Sequence, residues 1–176
     1  MQTADRDRLV AALRKRGVDY LAPSDAEGEP LLDEELVASL AASDDSRLRQ
    51  TLIALFLLEP GLAPVARHLR SKLVATAETE LVAHYTAAVY LQRMWRVRLE
   101  FYLPDMTELP DYFSQELHLP EPEDGYGKPG LYALAAWHAS RSAHRTNHLA
   151  EYQGVASLLF ERLKLKSRRR VAAPTG

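Results

Sequence analysis

The chain predicts an all-α fold. Apolar residues recur at spacings of three and four through most of its 176 residues, and no segment keeps strand-like alternation beyond about four residues. Helix stop signals also fall where the periodicity ends. The expectation is one compact helical bundle of about six to eight helices around a long central helix, residues 73–103. Residues 1–166 form the single domain, and 167–176 read as a basic, disordered tail.

The elements follow in order. A first helix covers Ala4–Arg16, with Leu9, Val10 and Leu13 apolar, and Gly17 sits where a left-handed residue closes a helix. "VDYLAPSDAEGEP" (18–30) is a loop with Val18, Tyr20 and Leu21 attached to the core, and Leu32–Ala42 is a short helix. Ser43 or Asp44 caps a helix that runs to Leu58, "EPG" breaks it, and Pro64 opens another through Arg70. The central helix is stopped by Pro104. On a helical wheel Leu81, Tyr85, Ala88, Leu91, Trp95, Leu99 and Tyr102 form one stripe, and Tyr90, Met94, Val97 and Phe101 a second. A short helix, Pro110–Leu117, precedes a Pro- and Gly-rich acidic loop, and helix resumes from Pro129.

Composition narrows the function classes. There is no cysteine, so disulfides, thiolate metal sites and cysteine nucleophiles are absent. The longest apolar run, "LIALFLL" (52–58), is far below the roughly 20 residues of a membrane span. No signal-peptide pattern opens the chain, so a cytoplasmic location without membrane contact is expected. The net charge of −2 hides an asymmetry: "ERLKLKSRRR" (161–170) has six basic residues and one acid, leaving −7 on residues 1–160. Such an acidic body argues against a nucleic-acid-binding face and confines any phosphate contact to the tail.

"AAWHASRSAHRTNHLAEY" (135–152) concentrates His138, His144 and His148, two of them at H-x-x-x-H spacing. A helix unbroken from Leu131 to Leu163 would place His138, Ser142 and Arg145 at successive core positions. The spacing therefore predicts a break at 142–147, with Thr146 or Asn147 capping a new helix and the histidines serving as caps and surface polarity. The stretch reads as a polar joint. No metal and no cofactor is assigned, because H-x-x-x-H lacks the glutamate placement of H-E-x-x-H.

Arg98 falls between the two apolar stripes, on the line of His84 and Leu91, so Arg98 and His84 are the candidate buried polar residues of the central helix; the guanidinium either snorkels to water or meets a carboxylate, with Glu80, Glu116 and the 121–124 loop as sources. The aromatics concentrate in the C-terminal half. "LPDYFSQEL" carries more aromatic surface than a short helix hides, which makes Tyr112, Phe113, Glu121, Glu123, Asp124 and Tyr126 the candidate partner-binding surface. No phosphate-binding loop, dinucleotide fingerprint or nucleophile elbow occurs, so no catalytic residue is assigned and the chain is read as a non-enzyme.

"SRLRQTLIALFLLEPGLA", then "YTAAVYLQRMWRVRL", then "LPDYFSQELHLP" resemble small all-helical bacterial companion proteins, antitoxin-like, that are paired with nucleotidyltransferase toxins. The resemblance spans residues 45–165 and carries no signature motif, so it transfers no functional residue. It implies a regulatory protein that binds and neutralises or controls a toxic enzyme, such as a nucleotidyltransferase; self-association into a homo-oligomer is a second kind of partner. Two other classes stay open. A helix-turn-helix regulator would use residues 45–70, with Arg67, His68 and Arg70 for the groove, and a metal-dependent enzyme would need His138, His144 and His148 to converge.

Overall fold

The computed structural model describes residues 3–21, 30–142 and 146–172, which form eight α-helices and no strand. They are α1 (Thr3–Lys15), α2 (Asp33–Ala41), α3 (Ser46–Leu58), α4 (Ala63–Leu69), α5 (Ala75–Met94), α6 (Arg96–Tyr102), α7 (Lys128–Ala139) and α8 (His148–Ala172). The all-α expectation holds. α1 closes as Gly17 predicts: at φ 88° it lets its own N–H reach Arg14 O and the Val18 N–H reach Leu13 O. The cap of α3 is Asp45, one residue beyond the predicted pair, and its carboxylate accepts from Arg47 N at 2.9 Å.

α5 is the hub, packed against α2, α3, α4, α7 and α8. Every residue from Leu81 to Gln92 is buried, so this helix is enclosed on all sides. α3 lies against it with Leu48 and residues 51–57 buried. No single described helix is long and apolar enough to cross a membrane; α3 and the segment Pro60–Lys72 pass only as a pair bent by 110°.

Three expectations require correction. The long central helix is two helices, because Trp95 leaves helical geometry at φ −111°, ψ 20°. Beyond it α6 touches α5 and α8 and buries only Leu99, so Val97 and Phe101, predicted to continue a core stripe, are exposed. Trp95 itself is 38% exposed.

The helix expected over 110–117 is a series of turns. Side chains of α5 bond the backbone at the start of this segment and on either side of it. Gln92 donates to Thr107 O at 3.0 Å and accepts from Leu109 N at 2.7 Å, Tyr85 OH donates to Pro110 O at 2.7 Å, and Tyr90 OH donates to Pro120 O at 2.6 Å. Asp111 then accepts from the N–H groups of Phe113 and Ser114, a local turn that competes with helix.

The tail expected at 167–176 is helical through Ala172, because α8 continues; residues 173–176 lie outside the described set. Lys166 near the domain's edge still reaches Gly17 O, at 3.3 Å.

Candidate functional site

Two places hold chemistry that the fold alone does not require. The first is the joint between α7 and α8. α7 ends at Ala139 and α8 begins at His148, with the Asn147 carboxamide accepting from Ala150 N at 3.1 Å, so the predicted break and cap are present. His138 and His148, however, are buried, where surface polarity was expected. His138 and His148 stack at 3.8 Å between ring centroids, and His84 meets His138 edge-on at 5.6 Å.

The partners assign the tautomers. His84 Nδ1 donates to the Glu80 carbonyl at 2.7 Å, and His138 Nε2 donates to the Glu80 carboxylate at 3.3 Å. Tyr152 OH donates to His138 Nδ1 at 2.7 Å, and His148 Nδ1 donates to Glu151 at 3.0 Å. Burial lowers the His84 imidazole to about 4 in spite of Glu80 beside it, and burial together with His138 lowers His148. Burial pushes the Glu80 carboxyl up, but the His138 N–H and the charges around it, Arg49 included, bring it down to about 2. Burial raises the Tyr152 phenol, so it stays protonated. An open pocket of about 440 Å³ lies beside this network.

Among the described residues no three His, Asp or Glu side chains are placed to hold a metal ion. His144, the third member of the sequence cluster, lies outside the described residues. What the described residues make is a hydrogen-bonded joint that ties α5, α7 and α8 together. His84 is the buried polar residue expected; Glu80, one of the carboxylates offered to Arg98, bonds His138 and Arg49 instead, and Tyr152 completes the joint.

The second place is a groove of about 780 Å³ between α6 and the turn at 122–126. Val97 is 83% exposed, Phe101 76% and Tyr126 81%, and Met94, Trp95 and Tyr102 line the groove beside them. Tyr126 sits at φ 57° between Gly125 and Gly127, both also at positive φ. For a residue with a Cβ this conformation costs about 1–2 kcal/mol, so the neighbouring structure holds it in place. Gly127 is required: a Cβ there would lie 2.5 Å from Tyr90 O.

Charged groups rim the groove. Arg93, its side chain 8% exposed, is held by Glu108 at 3.2 Å and Glu123 at 3.1 Å; Arg96 is held by Glu100 and Glu108. Arg98 is exposed, so of the two outcomes open to it, escape to water or burial against a carboxylate, the first is found. It escapes to the surface and lies 4.0 Å over the Phe160 ring, because the bend at Trp95 turns its side of α6 outward.

The predicted partner surface divides. Glu123 and Tyr126 line the groove, and Glu121 and Asp124 are exposed nearby. Phe113 is buried and Tyr112 half-buried, both packed on Tyr85, so the aromatic pair is core rather than a binding face. The helix-turn-helix residues are engaged within the chain: Arg67 over the Tyr112 ring, Arg70 with Glu78 and Glu116, His68 with Lys72 and Glu34.

No protein-family model, curated protein or solved structure matches the chain. The fold and the two places define an all-helical protein with a buried polar joint and an apolar surface groove.

Proposed function

We propose that the protein is a regulatory binding partner of another protein, an antitoxin-like companion that docks on a cognate enzyme and controls it. The occupant of the groove is an amphipathic helix of that partner. One observation carries the reading: Val97, Phe101 and Tyr126 are displayed around a single groove, each more than three-quarters exposed. Large apolar side chains grouped in this way mark interaction sites, and a groove beside a short helix suits a helix bearing apolar anchors. The strained backbone at Tyr126 supports the reading, since it presets the ring without any packing gain to the monomer. The acidic body, −7 over residues 1–160, would speed encounter with a basic enzyme. The polar joint favours no enzymatic reading, because Tyr152 and His138 are buried and already bonded to each other.

Site-specific photocrosslinking tests this. A benzophenone amino acid at Val97, in the full chain expressed in its own cells, should capture an amphipathic helical segment of another protein. The same group at Leu158, exposed on α8, should not. The purified chain should then inhibit the captured partner's activity. Capture of the chain by itself, of nucleic acid, or of nothing overturns the proposal.

A further inference from the structure

Arg98 differs from the other two arginines of the groove. Arg93 and Arg96 are each neutralised by two carboxylates of the chain. Among the described residues no carboxylate or hydrogen-bond acceptor pairs with Arg98, whose contacts are with two aromatic rings. Its guanidinium lies over Phe160, a buried side chain of α8, and 5.9 Å from the Trp95 ring. A guanidinium resting on an aromatic ring keeps its N–H donors available to a ligand, and Arg98 lines the groove. The cation is thus held in place before any partner arrives, which removes part of the ordering cost of a new ion pair.

We infer that Arg98 reads the occupant of the groove: the docking helix carries an aspartate or glutamate beside its apolar anchors, and that carboxylate pairs with the N–H edge of Arg98. This deepens the proposed function and rests on the groove reading. A carboxylate fits better than a phosphate polyanion, because Glu123 lines the same groove and Glu121 and Asp124 are exposed next to it, so only one end of the site is positive. The planar fork of arginine matches a carboxylate in two parallel bonds, which a lysine cannot reproduce. Overall charge and local recognition are separate here: the acidic body acts on the approach of a partner, Arg98 on one residue of its docked helix.

Two labelled synthetic helical peptides make the test, identical in their leucine and phenylalanine face but flanked by glutamates in one and lysines in the other. Binding to the full chain is read by fluorescence anisotropy. The glutamate peptide should bind about tenfold more tightly than the lysine peptide. Arg98→Glu should reverse the preference, Arg98→Gln should erase it, and Arg98→Lys should keep its sign at reduced size. Phe101→Glu should abolish both. If both peptides bind wild type equally, or Arg98→Glu leaves the preference unchanged, the inference is overturned while the groove reading stands. If Phe101→Glu binds as wild type, or wild type binds neither peptide, the groove reading falls with it. Self-association by sedimentation that Phe101→Glu abolishes would make a second copy the occupant and overturn the inference.

Discussion

The Tyr152 hydroxyl stands 2.7 Å from Nδ1 of His138, and this one bond ties the start of α8 to the last turn of α7. His138 passes the connection on to Glu80 of α5. Removing the hydroxyl would leave the His138 nitrogen buried without a partner, which costs more than the bond itself contributes. Tyr152→Phe should therefore lower the unfolding free energy by about 1–3 kcal/mol at nearly unchanged ring volume. Urea denaturation checks this, and an unchanged midpoint would mean that water replaces the hydroxyl.

His84 makes stability pH-dependent in a defined direction. Its folded-state value, lowered by burial to about 4, lies below the ordinary 6.5, so the unfolded chain binds a proton that the folded chain refuses. The contribution is fully present above pH 6.5 and is lost as pH falls through 4, by on the order of 3 kcal/mol. Glu80, held at about 2, is ionised in both states over the upper part of that window and adds its own loss only below about 4.5. Melting temperature should fall between pH 6.5 and 4, and His84→Asn, which keeps a donor near Glu80 O, should flatten the slope. Equal slopes in the two proteins would remove His84 as the cause.

A methyl group at Gly130 should be poorly tolerated. Its Cβ would lie 2.1 Å from Cε1 of Tyr90, and Tyr90 cannot swing aside without giving up its bond to Pro120 O. Gly130→Ala should cost about 1–3 kcal/mol or more, in spite of the better helix propensity of alanine. Gly61→Ala, where nothing lies within 4 Å, should be close to neutral. Thermal unfolding of the pair decides it.

Trp95→Ala should cost only about 1–2 kcal/mol, because the ring is 38% exposed and loses mainly its edge contact with Phe160. Phe56→Ala, wholly buried against Tyr85, should cost about 3–5 kcal/mol. Guanidinium unfolding of the two variants gives the comparison; a larger loss at Trp95 would place that ring in the core.

Helical class, most helix ends, the Gly17 closure and the 142–147 break were legible in the sequence, because propensity, caps and breakers act within a few residues of one another. The Asn147 cap needs only the N–H of Ala150 three residues on. Tertiary structure decided the rest. Whether the Trp95 stripe faces the core depends on which helices cover α6, and that is set by the bend at Trp95 and the reach of α8. Phe113 is core because it packs edge-on against Tyr85 of α5, far away in the chain, while Asp111 turns the backbone beside it. His138 is useful to the fold because Glu80, 58 residues away, accepts its hydrogen bond. Local periodicity records which residues prefer to be buried, but the partner that satisfies a buried polar group, or leaves an aromatic uncovered, is brought by the packing of distant helices.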